Sequence, residues 1–271
     1  MDTNKARKSP MLLFKELHET LESRIRLYKY FWKRIDWDVF MIVFTSSDRL
    51  EHFLWNAYED ESHEYHKKFL EFFTRLDQCI KDIDERLERT DSLIILSDHG
   101  MEGIRTNVNV NCYLEEKGFL IRGNDPRKGY NNIEKGTKAF ALDPGRIYLN
   151  KKEKYPLGSV EPEEENAVEH ELIEAFESLE KDGEKVVRKV WKKNQIYRGM
   201  HTDFAPDLVL LPDRGFNLKG GILPKVTFDT DFLTGKHTQE DAFLYVRSDN
   251  AEIPENPSVE DVVPILTDCL E

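Results

Sequence analysis

The sequence predicts an α/β protein whose mostly parallel sheet is sandwiched between helices. Two short apolar runs, residues 37–45 and 93–96, end abruptly in polar residues. Unbroken apolar runs of this length are typical of strands that are buried on both faces of a parallel sheet. Stretches with apolar residues at helical spacing separate these runs, and such an alternation of helix and strand is typical of α/β domains.

Helical periodicity predicts long helices at residues 10–34 and 61–89, and a further helix that begins near Asp48. The first of these is unusual in its position, because α/β domains commonly open with a strand. Shorter amphipathic helices are predicted at residues 107–117 and 161–181, and from residue 258 or 260 onward.

The middle of the chain has the pattern of a β-meander. Two apolar runs, residues 137–142 and 146–150, flank an Asp-Pro-Gly sequence that is typical of a hairpin turn. Because strand–helix–strand stretches bracket this part, we expect one domain over residues 1–271 with a small α+β subdomain inserted at about residues 121–236. Further strands are predicted at residues 186–197, 207–211 and 242–246, and residues 216–234 are predicted to be irregular.

The composition argues against several classes of protein. The 271 residues carry a net charge of -13, which is unfavourable for a broad nucleic-acid-binding surface. The three cysteines have no CxxC spacing, and this favours a reducing compartment over a disulfide framework. No apolar stretch is long enough to span a bilayer, and the basic start of the chain does not resemble a secretory leader. We therefore expect a cytoplasmic protein without membrane association.

Asp98, His99 and Gly100 directly follow the apolar run at residues 93–96. Ligands of open α/β sheets collect beyond the carboxyl ends of the strands, where a turn can aim adjacent side chains at one point. Carboxylate oxygen and neutral imidazole nitrogen are good ligands for zinc and similar divalent ions. The alternative is a strand that ends in a polar turn with the aspartate as a cap.

A second pair, Asp48 and His52, lies at the start of a predicted helix that follows the other apolar run. Residues four apart share one helix face, so both side chains can reach the same ion. Asp48 and Glu51 also have the spacing of a capping box, but that interpretation gives His52 no role. His237 lies in a polar loop just before the last predicted strand, where a loop histidine without ligands is the alternative.

Five residues at predicted strand edges are hard to explain separately as caps and surface histidines. We therefore predict that they bind metal jointly, at a site built from Asp48, His52, Asp98, His99 and His237.

The order of three motifs in this chain resembles the alkaline-phosphatase superfamily. An Asp-x-x-x-His motif, a Ser-Asp-His-Gly motif and a late Gly-x-His motif follow one another. The chain is most similar to the type I phosphodiesterase / nucleotide pyrophosphatase group in its microbial cytoplasmic form. The similarity extends over most of the chain from about Phe14 and includes Ala205-Pro206-Asp207.

The resemblance implies an alkaline-phosphatase-like fold with two divalent metal ions, zinc in the first place and manganese as the alternative. It implies that Asp48, His52 and His237 hold one ion, and that Asp98 and His99 help to hold the other. Two such ions can clamp the attacking and leaving oxygens of a displacement at phosphorus. The resemblance thus implies a metal-dependent hydrolase that acts on small-molecule phosphate esters or phosphodiesters.

The chain departs from the family pattern at its start. The family has an N-terminal strand that ends in Asp, followed by a Thr or Ser nucleophile, and that stretch would precede Met1 here. The catalytic nucleophile is therefore unassigned, and we expect the second metal site to be incomplete in this chain. Three nearby hydroxyls lie at the Asp48 motif instead of the family's nucleophile position; they belong to Thr45, Ser46 and Ser47.

Two hypotheses follow from this departure. The chain is a hydrolase that is incomplete by itself and is completed by an N-terminal fragment or partner. Alternatively, it is a catalytically inactive metal-binding or interaction protein derived from the same fold. Because loss of the first strand and its helix would leave a central strand without a neighbour and apolar surface open, we also expect association with the missing piece or self-association.

Overall fold

The structure, a computed structural model, describes Arg7 and residues 9–270. The chain divides into two compact units. The first unit contains the chain up to Gly103 and from Phe232 onward, and the second is continuous from Ile104 to Asp231. The insertion at about residues 121–236 stays a prediction. No helix in the described part of the chain is long and apolar enough to cross a membrane.

The described residues form seven α-helices and thirteen strands. The helices are α1 Pro10–Trp32, α2 Ser46–Glu59, α3 His66–Asp84, α4 Val110–Glu116, α5 Glu165–Glu177, α6 Lys193–Ile196 and α7 Val262–Asp268. The strands are β1 Leu93–Leu96, β2 Gly100–Gly103, β3 Thr106–Asn109, β4 Ala139–Asp143, β5 Arg146–Leu149, β6 Glu180–Lys181, β7 Glu184–Lys185, β8 Val187–Lys192, β9 Leu208–Pro212, β10 Phe216–Lys219, β11 Phe228–Asp229, β12 Gly235–Thr238 and β13 Leu244–Arg247.

The core of the first unit is formed by helices α1, α2 and α3. Helix α1 begins after Ser9, whose hydroxyl accepts a hydrogen bond from the Leu12 N–H, and Pro10 occupies its first turn. Its apolar stripe is buried as the periodicity predicted, except that Phe31 is exposed. Two antiparallel strand pairs, β1 with β13 and β2 with β12, complete the unit.

The core of the second unit surrounds a four-stranded sheet with the order β4–β5–β9–β8. Its strands pair antiparallel, and helix α5 buries Val168, Leu172 and Phe176 in the same core. The predicted hairpin is confirmed by β4 and β5. The turn between these strands requires glycine, because Gly145 has a φ of 68°.

The predicted parallel sheet is wrong, since the sheets of this protein are mainly antiparallel. Strand β1, expected to be a buried parallel strand, pairs antiparallel with β13 and is only partly buried. Residues 37–45 form no strand among the described residues. Phe40 and Phe44 pack against the helical core, whereas Met41 is 82% exposed. An apolar run can thus be accommodated by packing on helices, and apolar content alone does not reveal strand pairing.

The predicted irregular segment at residues 216–234 is wrong in part, because it contains β10 and β11. Strand β10 pairs parallel with β3, and β11 pairs antiparallel with the other edge of β3. Phe216 and Leu218 alternate with polar residues, so that one face of β10 enters the core. The alternation of apolar and polar residues is present in the sequence of β10, but the two glycines that follow the strand favour an irregular segment.

Candidate metal centre

Three side chains of the first unit converge on one point. The two Nε2 atoms of His52 and His237 are 2.8 Å apart, and His237 Nε2 is 2.9 Å from Asp48 Oδ1. His52 Nε2 is 3.4 Å from the same carboxylate oxygen. Asp48 and His52 share a face of the first turns of α2, as expected for residues four apart. His237 comes from β12, so a helix and a distant strand build the cluster together.

Close approach of β12 to α2 brings His237 to the helix. A Cβ atom at Gly235 would lie 2.3 Å from the backbone oxygen of Glu51, a distance too short for any side chain. The Thr234 N–H donates to the backbone oxygen of His52 over 2.9 Å. In return, His52 Nδ1 lies 2.8 Å from the Gly235 carbonyl oxygen and donates to it. Glycine is therefore required here so that helix and strand can share these contacts.

The register of β12 on β2 determines which way His237 points. Lys236 lies opposite Glu102 in this pair, and Lys236 Nζ is 2.6 Å from Glu102 Oε1. The two side chains are only 10% and 18% exposed. Because neighbouring residues of a strand point to opposite faces, this ion pair lies on the face away from His237. A slip of one residue would turn His237 away from α2, and the ion pair opposes such a slip.

His99 extends the cluster at the start of β2. Its ring stacks on the ring of His237, with centroids 3.6 Å apart and planes inclined by 23°. His99 Nδ1 lies 3.0 Å from the Gly100 carbonyl oxygen, and its Nε2 is 3.7 Å from Asp48 Oδ1 and 3.5 Å from Asp98 Oδ1. The Asp98 side chain is largely exposed. The structure therefore brings four of the five residues into direct contact, with Asp98 at the edge beside His99.

The donor set fits a divalent cation. His52 Nδ1 donates to a carbonyl, so in the neutral imidazole Nε2 holds the lone pair, and this atom points towards Asp48 and His237. A backbone carbonyl in this role is the usual partner of a metal-bound histidine. Ligand atoms around tetrahedral zinc are about 3.3 Å apart, given bonds of roughly 2.0–2.1 Å. The separations between the three ligand atoms here run from 2.8 to 3.4 Å.

Mutual contacts shift the protonation of this cluster. Hydrogen bonds with His237 and His52 hold the pKa of Asp48 well below its usual range. The same hydrogen bond with Asp48 raises the pKa of His52. Burial, together with the nearby charge of Asp48, raises the pKa of Glu51 to about 7. In the absence of a cation, protons therefore bridge the ligand atoms, and a bound cation would displace them.

One known protein family matches most of this chain. The model of the type I phosphodiesterase / nucleotide pyrophosphatase family matches residues 10–240, a span that includes all five predicted ligands. The chain belongs to this family. The family is part of the alkaline-phosphatase superfamily, and membership supports a hydrolase of the phosphodiesterase or pyrophosphatase type. A comparison with curated proteins found no match.

Membership in the type I phosphodiesterase family gives the cluster a chemical context, because the family is typically metal-dependent. The capping-box alternative for Asp48 and Glu51 does not account for the geometry. Helix α2 begins at Ser46 after Thr45, without a side-chain hydrogen bond at its cap. The Asp48 carboxylate is directed to the two histidines instead.

Sequence reasoning missed the special state of Glu51. Its spacing from Asp48 predicts only a cap, yet its carboxyl group is partly buried beside Asp48. No local pattern indicates this state, because burial of a side chain is a property of the folded chain. The nearby hydroxyls offer no clear nucleophile. Ser46 is buried, and Ser47 Oγ donates to the Phe44 carbonyl oxygen over 3.3 Å.

Proposed function

We propose that this chain holds a divalent cation through Asp48, His52 and His237 and uses it to hydrolyse small-molecule phosphodiesters or phosphate esters. The observation that carries the proposal is the convergence of two imidazole nitrogens and one carboxylate oxygen within 4.8 Å of one another. Membership in a family of phosphodiesterases supports the reaction class. Zinc is the first candidate because imidazole-rich sites favour it, and manganese is the second.

The residues of the chain have distinct tasks in this proposal. When bound, the ion supplies Lewis-acid polarisation and charge neutralisation at a phosphoryl oxygen. The Gly235 carbonyl holds the Nδ1 proton of His52 and so keeps Nε2 available as a ligand. The Asp48 carboxylate accepts hydrogen bonds from both histidines, which orients their Nε2 atoms before a cation arrives.

A second cation position is assigned to Asp98 and His99. The His99 ring is held by stacking on His237 and by its Nδ1 contact with the Gly100 carbonyl. Its Nε2 and the exposed Asp98 carboxylate are 3.5 Å apart, a separation that suits two ligands of one ion. Two ligands do not complete such a site, so further groups outside the five residues would be needed.

Elemental mass spectrometry of the purified chain after dialysis against zinc tests the metal site. We expect at least one ion per chain, lost in His52→Ala and in His237→Ala. His170→Ala is the matched control, because this exposed histidine lies in the second unit and pairs with Glu174, at 3.3 Å. Absence of bound metal in the unchanged chain would contradict the proposal.

Hydrolysis of an aryl phosphodiester by the zinc-loaded chain tests the reaction. We expect turnover that is lost in His237→Ala and kept in His170→Ala. Stoichiometric metal binding without turnover would favour the alternative, a metal-binding protein of the same fold without catalytic activity.

A further inference from the structure

The second unit contains a cavity of about 370 Å³ that none of the five predicted metal ligands lines. This volume lies in the range of small-molecule pockets, roughly 300–1,000 Å³. The walls combine apolar surface with lysine side chains from one turn. The lining residues are Lys151, Lys152, Glu153, Lys154, Val160, Pro162, Glu165, Asp203 and Phe204.

Most charges next to the cavity neutralise one another. The buried Asp207 accepts ion pairs at Oδ1 from Lys151 Nζ at 3.0 Å and from Lys193 Nζ at 3.2 Å. Its other oxygen accepts a hydrogen bond from the Leu149 N–H over 2.8 Å. Lys151 Nζ also contacts Glu165 Oε2 at 2.7 Å. Two ammonium groups are therefore balanced by two carboxylates.

Lys154 is the ammonium group that remains without a carboxylate partner in the described part of the chain. Its Nζ donates to the backbone oxygen of Asp203 over 2.6 Å. Burial lowers the pKa of Lys154, against the attraction of Asp207, and repulsion from Lys193 and Lys151 acts in the same direction as burial. The acidic side chains of Glu153 and Asp203 also line the cavity, and these two residues are exposed to solvent, as is Lys154. An ammonium group at a cavity wall that contacts a backbone oxygen, and no carboxylate within ion-pair distance among the described residues, can take an anionic ligand as its partner.

Phe204 supplies a second recognition element. It lines the same cavity, yet it is 76% exposed, which is unusual for so large an apolar side chain. Val160 and Pro162 give the cavity an apolar wall beside it. An exposed aromatic face next to a cation suits a ligand that carries both a planar ring and an anionic group.

We propose that this cavity binds a phosphate monoester bearing a planar ring, such as a mononucleotide, with the phosphate on Lys154 and the ring on Phe204. Lysine is a common point-charge partner of phosphate, whose several oxygens can contact more than one donor. Lys152, which lies in the same turn and contacts Glu161, is placed to assist. The proposal does not depend on the metal site of the first unit.

Calorimetric titration of the full chain with adenosine monophosphate in excess EDTA tests this proposal. We expect saturable binding that is weakened roughly tenfold in Lys154→Ala and in Lys154→Gln, as for the loss of one charge-assisted hydrogen bond. Phe204→Ala is expected to weaken binding of the nucleotide but not of inorganic phosphate. Lys135→Ala, at an exposed lysine of the same unit away from the cavity, is the control and should bind normally.

Three results would overturn the proposal. These are absence of saturable binding, equal affinities of the Lys154 and Lys135 variants, and adenosine binding as tightly as its monophosphate. Circular dichroism of each variant establishes that it is folded. His237→Ala should retain full nucleotide affinity in EDTA, so failure of this proposal and failure of the metal site give different results.

Discussion

Asp48 in the first unit and Asp207 in the second are each contacted by more than one basic side chain, yet their surroundings differ. The Asp207 side chain is 3% exposed, and its oxygens accept from two ammonium groups and one backbone N–H. Lysine ammonium groups can only donate, so every group in this arrangement has a partner. Asp207 therefore has the surroundings of a structural residue that ties β9 to the chain around Lys151 and Lys193.

The Asp48 side chain is 38% exposed, and its partners are histidines instead of lysines. An imidazole nitrogen can be an acceptor, so up to three acceptor atoms meet where His52, His237 and Asp48 converge. Acceptors this close repel one another unless a proton or a cation lies between them. A metal-binding cluster therefore differs from a structural ion-pair cluster in its balance of hydrogen-bond donors and acceptors, more than in its number of charges.

The largest effect on stability is expected from Asp207→Ala. Removal of this buried carboxylate leaves two ammonium groups without their shared partner, which costs about 3 kcal/mol in free energy of unfolding. Asp48→Ala is the matched comparison and should cost less than about 1 kcal/mol in EDTA, because its carboxylate is partly solvated. Urea denaturation measures both. Equal losses for the two variants would contradict the distinction between them.

Gly235→Ala tests the approach of β12 to α2. The added Cβ would meet the Glu51 backbone oxygen at 2.3 Å, so the strand must move away from the helix. This movement separates His237 from Asp48 and breaks the contact of His52 with the Gly235 carbonyl. We expect zinc affinity to fall roughly 10–100-fold, as when a supporting contact of a metal ligand is lost. Competition with a chelating dye measures the affinity.

The matched control for that experiment is Gly183→Ala, at a turn where an added Cβ meets nothing within 4 Å. Its positive φ of 83° makes the substitution mildly strained, but the site lies in the second unit. Zinc affinity should be unchanged there. Unchanged affinity in Gly235→Ala would mean that the close approach does not position His237.

A smaller effect is expected from the ion pair that fixes the register of β12. Lys236→Met should cost about 2 kcal/mol in free energy of unfolding, below the roughly 3–5 kcal/mol of a fully buried pair, because both side chains keep some exposure. Zinc affinity should fall as well, since the orientation of His237 depends on the register. Exchange of the two charges in Lys236→Glu with Glu102→Lys should restore part of both quantities.

Lys138→Met is the control for an exposed ion pair. Lys138 Nζ is 3.6 Å from Glu171, and the two side chains are about half exposed, so its loss should cost less than about 1 kcal/mol. If Lys236→Met changed stability alone and left zinc affinity intact, the ion pair would stabilise the unit without positioning His237.

The sequence was sufficient where structure depends on neighbours along the chain. The helical period gave α1 and its buried stripe, and the spacing of four residues placed Asp48 beside His52. It was insufficient where structure depends on distant partners. Residues 37–45 and strand β1 have the apolar content of parallel strands. Whether and how such a segment pairs depends on which other strands have a free edge beside it in the fold.

The candidate site shows the same division. His237 contacts His52 because Gly235 passes close to the backbone of α2. No short sequence motif predicts this close approach. The raised pKa of Glu51 arises from burial in the folded chain and from the charge of Asp48. The motifs therefore supplied the candidate ligands, whereas the register and close approach that bring them together are properties of the folded chain.

The smallest effect on stability is expected from a change of pH, and the sign of this effect differs between the metal-free and the zinc-bound protein. The pKa of Glu51 is raised from its ordinary value of 4.5 to about 7 by burial, and the pKa of His52 is raised by its hydrogen bond to Asp48. A group whose pKa is raised by folding stabilises the protein at low pH, and this stabilisation is lost as pH rises. For Glu51 the loss falls between pH 4.5 and about pH 7.

In EDTA, the melting temperature should therefore decrease as pH rises from about 5 to about 8, and Glu51→Gln should flatten the lower part of this decrease. With zinc, the melting temperature should increase over the same range, because protons compete with the ion for His52 and His237. Thermal denaturation at several pH values, with and without zinc, measures both slopes. A melting temperature that rises with pH in EDTA would show that these protons do not stabilise the metal-free cluster, and the acceptor repulsion inferred for Asp48 would lose its support.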